Sequence, residues 1–428
     1  MTGVPAVRTL VFSYIGYETR EIKYTATKLK EKIALKEAVN EFDEVVVVGR
    51  DTQRKVSVVG AITNVDPAGI QAPAVSVSNM LGGRVPGIIA VTRSGEPGNN
   101  FSEFWIRGMS TFGASSSALV LIDGIEGNIN DLDPADIESF SILKDASATA
   151  VYGTRGANGV VVVTTKRGKA GKLHVNFKTN ATYSYSPRMP EYADAYQYAT
   201  LANEARSVRG DDPVYSATEL ELFKTGLDPD LYPNVNWRDV ILKDHVINNQ
   251  HHLSISGGGQ SARYYMSLGI LNSEALFKQD KSASKHDVNV NYHKYNFRTN
   301  IDADLTKTTL LSLNLEAVIK TQNAPGTGSS NKYLWESQAN LPPTVVPVRY
   351  SNGQLPAYGT NLEDKSPYVR LNYMGYTTNE TYSTKINVGL SQDLGIITEG
   401  LSVRGLFSFS MNGAHICLLY TSDAADDK

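Results

Sequence analysis

Beyond Gly171 the chain alternates apolar and polar residues, a period of two that only extended strands can use. Leu173, Val175, Phe177, Thr179 and Ala181 interleave with His174, Asn176, Lys178, Asn180 and Thr182. The pattern returns in Leu311, Leu313 and Leu315, in Ile386, Val388 and Leu390, and in Leu401, Val403, Phe407 and Phe409. About seven segments of this kind follow position 171, each near the roughly ten residues of a membrane-spanning strand. Short joins (257–261, 304–308, 395–399) alternate with long ones (185–246, 272–290, 321–380). A transmembrane β-barrel segregates its tight turns to one end and its long loops to the other, whereas a soluble sandwich has no reason to do so. An odd strand count does not close a single-chain bacterial barrel, so the barrel is expected to be incomplete.

The first 170 residues follow another pattern. Residues 7–29 alternate as two strands broken at Gly16, too little to bury a core. They read as the end of a β-sandwich extension spanning 1–40. The region 51–170 reads as a compact α+β domain with short elements set apart by glycine. Leu119 to Ile122 meets Asp123-Gly124, a hairpin turn signal. Asp145 stands where an N-cap belongs ahead of a short helix, Ala146 to Tyr152, with Gly153 placed to end it. Arg155-Gly156-Ala157-Asn158-Gly159 then turns the chain into the strand Val160 to Thr165.

Between the extension and this domain, in the segment 41–50, lies Asp43-Glu44-Val45-Val46-Val47-Val48-Gly49. A buried strand explains four valines simply. The other reading is a segment that adds itself to the edge of a partner's sheet, where backbone hydrogen bonds supply affinity.

Charge removes one class of function. Lys plus Arg number 41 and Asp plus Glu 44, a net charge of −3, so no field exists to hold nucleic acid. The one cysteine, Cys417, excludes an internal disulfide framework. No stretch approaches the roughly 18 apolar residues of a spanning helix, which leaves a spanning barrel untouched because only its alternate residues meet lipid. Residues 1–10 hold no secretory signal, so either the protein is cytoplasmic or its true start, with a signal peptide, is expected to be missing. The last residues, 415–428, break the alternation and turn acidic, and are expected to be a non-native tail.

Candidate chemistry is sparse. Gly82-Gly83 and Gly156 to Gly159 do not complete a phosphate loop and read as turn glycines. Arg84, Arg107 and Arg155 read as buried contacts locking one domain to the barrel wall, with substrate contact as the alternative. Asp131, Asp133, Asp136 and Glu138 lack the glycine of a calcium loop, so no metal is assigned. His251 and His252 point to opposite faces of a strand and make a poor ligand pair. No zinc motif or nucleophile elbow is present, so neither an enzyme nor a cofactor is expected. Trp105, Trp237, Trp335 and the 23 tyrosines can stack on sugars, though interfacial girdles and loop packing account for most of them.

Together these motifs carry a family resemblance. Phe12-Ser13-Tyr14-Ile15-Gly16-Tyr17-Glu18-Thr19 looks like the end of the carboxypeptidase-regulatory-like extension of SusC/RagA-family TonB-linked outer-membrane proteins, and Asp43 to Gly49 resembles their TonB box. Leu81 to Gly87 (with Arg84, Pro86 and Gly87), Ile106-Arg107-Gly108 and Leu121-Ile122-Asp123-Gly124 resemble their plug motifs. So do Asp133 to Ser139, Leu143-Lys144-Asp145-Ala146-Ser147-Ala148, Tyr152-Gly153 and the run from Arg155 through Gly156, Asn158 and Gly159 to Thr165. Arg50 to Gln53 and Gly82 depart from the usual pattern.

The resemblance implies a plug followed by an antiparallel barrel over 171–414, 22-stranded when complete. It implies that Asp43 to Gly49 pairs with TonB, energised through ExbB and ExbD, and that a SusD-like lipoprotein captures oligosaccharide or peptide outside the outer membrane. It favours import of oligomeric nutrients, glycans before peptides. The alternatives are a soluble β-rich binding or adhesion protein and a TonB-linked receptor for iron chelates or cobalamin.

Overall fold

The computed structural model describes residues 8–12, 20–24, 45–48, 51–54, 62–65, 76–108, 117–186, 188–283, 286–326, 331–359 and 364–419. Asp43, Glu44 and Gly49 lie outside the described residues. Two small hairpins open the chain. Strands β1 (Arg8–Phe12) and β2 (Arg20–Tyr24) pair antiparallel, as do β3 (Val45–Val48) and β4 (Asp51–Arg54).

Strand β5 (Ile62–Val65) then enters a mixed five-stranded sheet. After it come helix α1 (Val77–Leu81), the hairpin β6 (Ile88–Thr92) and β7 (Ser102–Ile106), and the hairpin β8 (Leu119–Ile122) and β9 (Ile125–Glu126). Strand β10 (Ile137–Leu143), helix α2 (Ala146–Thr149) and strand β11 (Val160–Thr165) complete the unit, with sheet order β5-β10-β11-β8-β9. Only β11 and β8 run parallel. The four valines of β11 are buried on both faces, as a central strand requires. Val161 and Val163 pack with Phe140, Ile142 and Leu132, while Val160 and Val162 pack with Leu121 and Leu143. Asp123 and Gly124 both take positive φ (50° and 86°), the conformation that lets a two-residue turn follow the strand twist.

The short helix departs from expectation. Asp145 makes no side-chain cap, and α2 passes at Ala150 into tight turns that run to Gly156. Gly153 (φ 58°, ψ −143°) kinks that segment in its middle instead of ending it.

Seven strands follow in one antiparallel meander. They are β12 (Gly171–Tyr185), β13 (His245–Gly258), β14 (Ala262–Glu274), β15 (Asn291–Asp304) and β16 (Thr309–Pro325), then β19 (Tyr376–Asp393) and β20 (Ser402–Leu419). The hairpin β17 (Ala357–Tyr358) and β18 (Asp364–Lys365) lies in the long connection before β19. A single continuous sheet is the wall of a barrel; a sandwich would have split into two facing sheets. At 13 to 18 residues the strands exceed the expected ten. Strand β20 also continues through His415 to Leu419, paired with β19, so the first five residues assigned to a tail belong to the wall. Residues 420–428 lie outside the described residues.

The register fixes two unlike faces. One row across the sheet reads Phe177, Leu253, Leu268, Phe297, Ala317, Thr384, Met411, with Phe177, Phe297 and Met411 exposed. One residue along, the opposite face reads Asn176, Ser254, Ser267, Arg298, Glu316, Lys385, Ser410. An apolar outside and a polar inside is the inverse of a soluble sheet and the pattern of a barrel in lipid. No helix among the described residues is long and apolar enough to cross a membrane.

The long connections fold into a helical layer at one end of the wall. Helix α3 (Ala195–Ser207) starts in a capping box of Asp194 and Gln197, and α4 (Ala217–Thr225) in one of Ser216 and Glu219 with Gly226 left-handed at its end. Ala195, Ala199 and Phe223 bury the contact between the two. Helices α5 (Trp237–Ile241), α6 (Lys332–Asn340) and α7 (Pro367–Tyr373) share a second core built on Trp237, Ile241, Phe277, Leu334 and Leu371.

Candidate functional site

The polar face of the wall closes on the α+β domain, and β15 carries most of the contact. Its alternate residues Lys294, Asn296, Arg298, Asn300 and Asp302 all face that domain. Lys294 Nζ donates to the Asn130 and Leu132 carbonyls (2.8 and 3.3 Å), and Asn296 donates to the Asp131 carbonyl. Asn300 donates to Thr165 Oγ1 (2.8 Å) and the Lys166 carbonyl (2.7 Å), and Asp302 accepts from Arg167 (2.6 Å).

At the centre Arg298 is bonded to Glu316 beside it on the wall (2.6 Å), with Asp123 and Asp136 of the inner domain at 3.7 and 3.9 Å. His252 Nε2 and the Tyr265 hydroxyl both donate to Asp136 Oδ1 at 2.8 Å. Lys320 pairs with Asp131. Desolvating such charges costs several kcal/mol per ion, offset here only because each carboxylate meets cations and donors from the wall.

The environment separates two neighbouring carboxyls. Burial and the adjacent negative charge of Asp136 push Asp133 above the usual carboxylate range. Burial acts upward on Asp136 too, yet the hydrogen bond and charge of His252 and the charge of Arg298 outweigh it and hold that carboxyl low.

Two glycines set the distance between domain and wall. A Cβ at Gly269 would lie 2.8 Å from Asp133 Oδ2, and one at Gly168 only 2.3 Å from the Tyr264 backbone nitrogen.

The arginines singled out from sequence sit elsewhere. Arg84 is exposed. Arg107, in left-handed backbone (φ 59°), pairs with Asp145 at 2.6 Å, and Arg155 pairs with Glu126, so both bond within their own domain. Lys144 donates to the Pro86 carbonyl beside Gly87, and Tyr152 packs under Leu121 and Val162. Gly108, Gly156, Asn158 and Gly159 shape the turns around them; Gly159 has φ 88° and its carbonyl accepts from Leu119 (3.1 Å). The locking contacts come instead from Asp131, Asp133 and Asp136, the run that superficially resembled a calcium loop. No group of His, Cys, Asp and Glu among the described residues has the geometry to hold a metal ion. His251 and His252 do take opposite faces: His251 stacks on Phe177, while His252 reaches Asp136.

Where the long connections begin, a chamber of about 780 Å³ opens between the inner domain and the wall. Ser94 to Pro97 and Asn100 of the inner domain face Thr182, Asn248, Asn249, Gln250 and Ser273 of the wall across it, with Phe277 and Trp335 at one side. Its lining mixes amides and hydroxyls with apolar surface from Val246, Leu271 and Phe277, and Glu96, Glu274 and Lys332 are its charged groups. Gln322 to the Pro97 carbonyl (3.0 Å) and Asn331 to Glu96 (2.9 Å) tie its floor to the wall and to the helical layer.

A mixed-sheet domain pinned by buried ion pairs to the polar inner face of a meandering barrel wall defines a plugged outer-membrane receptor. Residues 54–160 match the TonB-dependent receptor plug domain. Over 344 residues the chain is 34% identical to TonB-dependent receptor P39 of Formosa agariphila, covering 80% of this chain and 31% of the relative. It is 31% identical over 282 residues to TonB-dependent receptor SusC of Bacteroides thetaiotaomicron, covering 63% of this chain and 26% of the relative. Its fold is that of the RagAB peptide importer in the open-open state, with a TM-score of 0.68 at 22% identity over 87% of this chain and 43% of that one. The chain belongs to the TonB-dependent receptors of SusC/RagA type, and it spans about a third or less of the length of these curated relatives.

Proposed function

We propose that this chain is part of a TonB-dependent importer of oligomeric nutrients, glycans first and peptides second, in the cell outer membrane. The observation that carries the reading is the polar inner wall, closed by the plug beneath a chamber at the long-loop end. On this reading the helical layer faces outside, where a SusD-like lipoprotein would deliver substrate, and the apolar row from Phe177 to Met411 meets lipid. The segment Asp43 to Gly49 would face the periplasm and pair with TonB, drawing work from ExbB and ExbD. The plug signature residues, from Arg84 to Gly159, keep the plug's own turns in shape, while the aspartates hold it in the wall.

A receptor for iron chelates or cobalamin is the second reading. The sandwich-like extension and the valine-rich form of the box argue against it.

The test uses the full-length gene product in its own outer membrane. Labelled oligosaccharide should accumulate only while the inner-membrane proton gradient is maintained, with peptides as the parallel assay. A product that fractionates as soluble, or an uptake indifferent to the gradient, would overturn the reading.

A further inference from the structure

The plug is not held equally along the wall. Against β13, β14 and β15 it is pinned by Asp136 on His252 and Tyr265 and by Thr165 on Asn300. On β16 the bonds continue through Lys320 with Asp131 and Gln322 with the Pro97 carbonyl. Then they stop. Among the described residues no hydrogen bond or ion pair joins the plug to β19 or β20, whose side chains bond within the wall, as Thr378 does to Asn323 and Ser408 to Asn387. Strand β19 has a paired neighbour on either side, so its bare inner face is not the edge of the sheet. Here the plug stands off the wall across a gap of about 610 Å³. Glu126 to Asn128 and Asp131 form its plug side, and Ser383, Lys385, Ser410 and Asn412 stand opposite on the wall. The row that carries Arg298 and Glu316 runs on through Lys385 to Ser410, so the gap lies at the depth of the plug's strongest contacts.

We propose that the passage for substrate opens here, between the segment Glu126 to Asp131 of the plug and the inner face of β19 and β20, while the plug stays pinned to β13, β14 and β15. The proposal rests on the import reading above. A body held unevenly yields first where the fewest interactions break, and moving parts are drawn from the least stable contacts of a structure. On the pinned side, parting plug from wall strips buried charges of their partners, which is costly. On the β19 side it breaks no bond until Lys320 and Asp131 are reached, and that pair is therefore the last tie to give before the gap widens. The lining suits a hydrated oligomer: the hydroxyls of Ser383 and Ser410, the Asn412 amide and the Lys385 ammonium can exchange hydrogen bonds with it as it moves. Lys385 comes close to the plug, since a Cβ at Gly127 would lie 3.0 Å from its Nζ, yet among the described residues it makes no ion pair or hydrogen bond there.

The test uses the full-length receptor with Cys417→Ser as background, in cells that maintain the proton gradient and are supplied with the labelled oligosaccharide or peptide of the uptake assays. Glu126→Cys with Ser410→Cys, joined across the gap by a bis-maleimide, should lose uptake, and the same pair left unjoined should keep it. Ala135→Cys with Asn180→Cys, which line one small cavity on the pinned side, should import as the parent does even when joined. Ser383→Trp fills the gap without a cross-link and should lose uptake at an unchanged amount of receptor in the outer membrane. Uptake that survives the gap bridge or Ser383→Trp would overturn the passage. So would equal loss through both bridges, because the plug would then leave as a whole. A parent that accumulates neither probe, or accumulates one without the gradient, counts instead against the import reading.

Discussion

Asp136 of the plug accepts a hydrogen bond from His252 of the wall at 2.8 Å, and both side chains are about 95% or more buried. Across this contact a domain that folds around its own apolar core is fixed to a wall it meets mainly through polar groups, with Phe101 edge-on to Tyr292 as an aromatic exception. An interface of that kind is held mainly by a few strong, desolvated pairs, so its release exposes more polar than apolar surface.

Arg298 is the centre of those pairs. Arg298→Met would leave Glu316, Asp123 and Asp136 buried without their shared cation, at a cost of about 3–5 kcal/mol. The expected result for the full-length receptor is a lower temperature for plug release, followed by protease cleavage within 123–136, with the barrel's gel shift unchanged. Adding Glu316→Met should recover part of the loss. A single variant as protease-resistant as the parent would show that Arg298 does not carry the interface.

The separation of Asp133 and Asp136 gives the interface a defined acid response. Asp136 is held below its ordinary value of 3.8, so the stability it contributes is complete above that pH and is lost as pH falls through its lower folded value. Asp133 is raised, so its ionised form costs stability at neutral pH and it takes up a proton first on acidification. Plug retention should therefore hold through the first protonation and fail only below the ordinary carboxylate range. Asp136→Asn should flatten that acid limb. The check is the plug-release temperature as a function of pH for parent and variant.

How much of this was legible in sequence follows from what each pattern encodes. The wall's alternation showed both faces of β12, because Leu173, Val175 and Phe177 are apolar without interruption. The plug's valine strand and its Asp123-Gly124 turn were equally plain, since both are local. The plug–wall contact was not, because its partners lie 116 residues apart at Asp136 and His252 and 135 apart at Arg167 and Asp302. One local signal was available: Lys294, Asn296, Arg298, Asn300 and Asp302 at period two, interleaved with Tyr295 and Phe297, mark a strand whose inner face must meet charge. Arginines beside glycine are the more conspicuous pattern in the sequence, yet Arg107 and Arg155 pair within the plug, with Asp145 and Glu126.

Gly168 tests how closely plug and wall must approach. Its φ is not in the left-handed region, so alanine meets no backbone strain there, only the Tyr264 backbone 2.3 Å from the new Cβ. Backbone cannot step aside as a flexible side chain can. Gly168→Ala should cost about 1–3 kcal/mol, as overpacking does, and lower the plug-release temperature. Gly353→Ala, with open space around it but φ 85°, is the comparison in which strain acts without a clash; it lies in the long connection between β16 and β19 and should leave release unchanged.

The valine segment offers the sharpest test of coupling. Val45–Val48 already pairs with Asp51–Arg54, with Val46 opposite Gln53 and Val47 opposite Thr52. Successive N–H groups of a strand point to opposite edges, so Val46 and Val47 between them serve both the hairpin and the free edge. Proline at either position deletes one of those donors. The double variant Val46→Pro, Val47→Pro should abolish gradient-dependent uptake while leaving the amount of receptor in the outer membrane unchanged, because the segment contributes nothing to the wall. The single variants should differ: the one whose N–H faces away from β4 should lose uptake, while the other chiefly loosens the hairpin. Uptake undiminished in the double variant would remove Asp43 to Gly49 from the coupling role. Equal loss in both singles would mean that the partner displaces β4 and does not extend the hairpin.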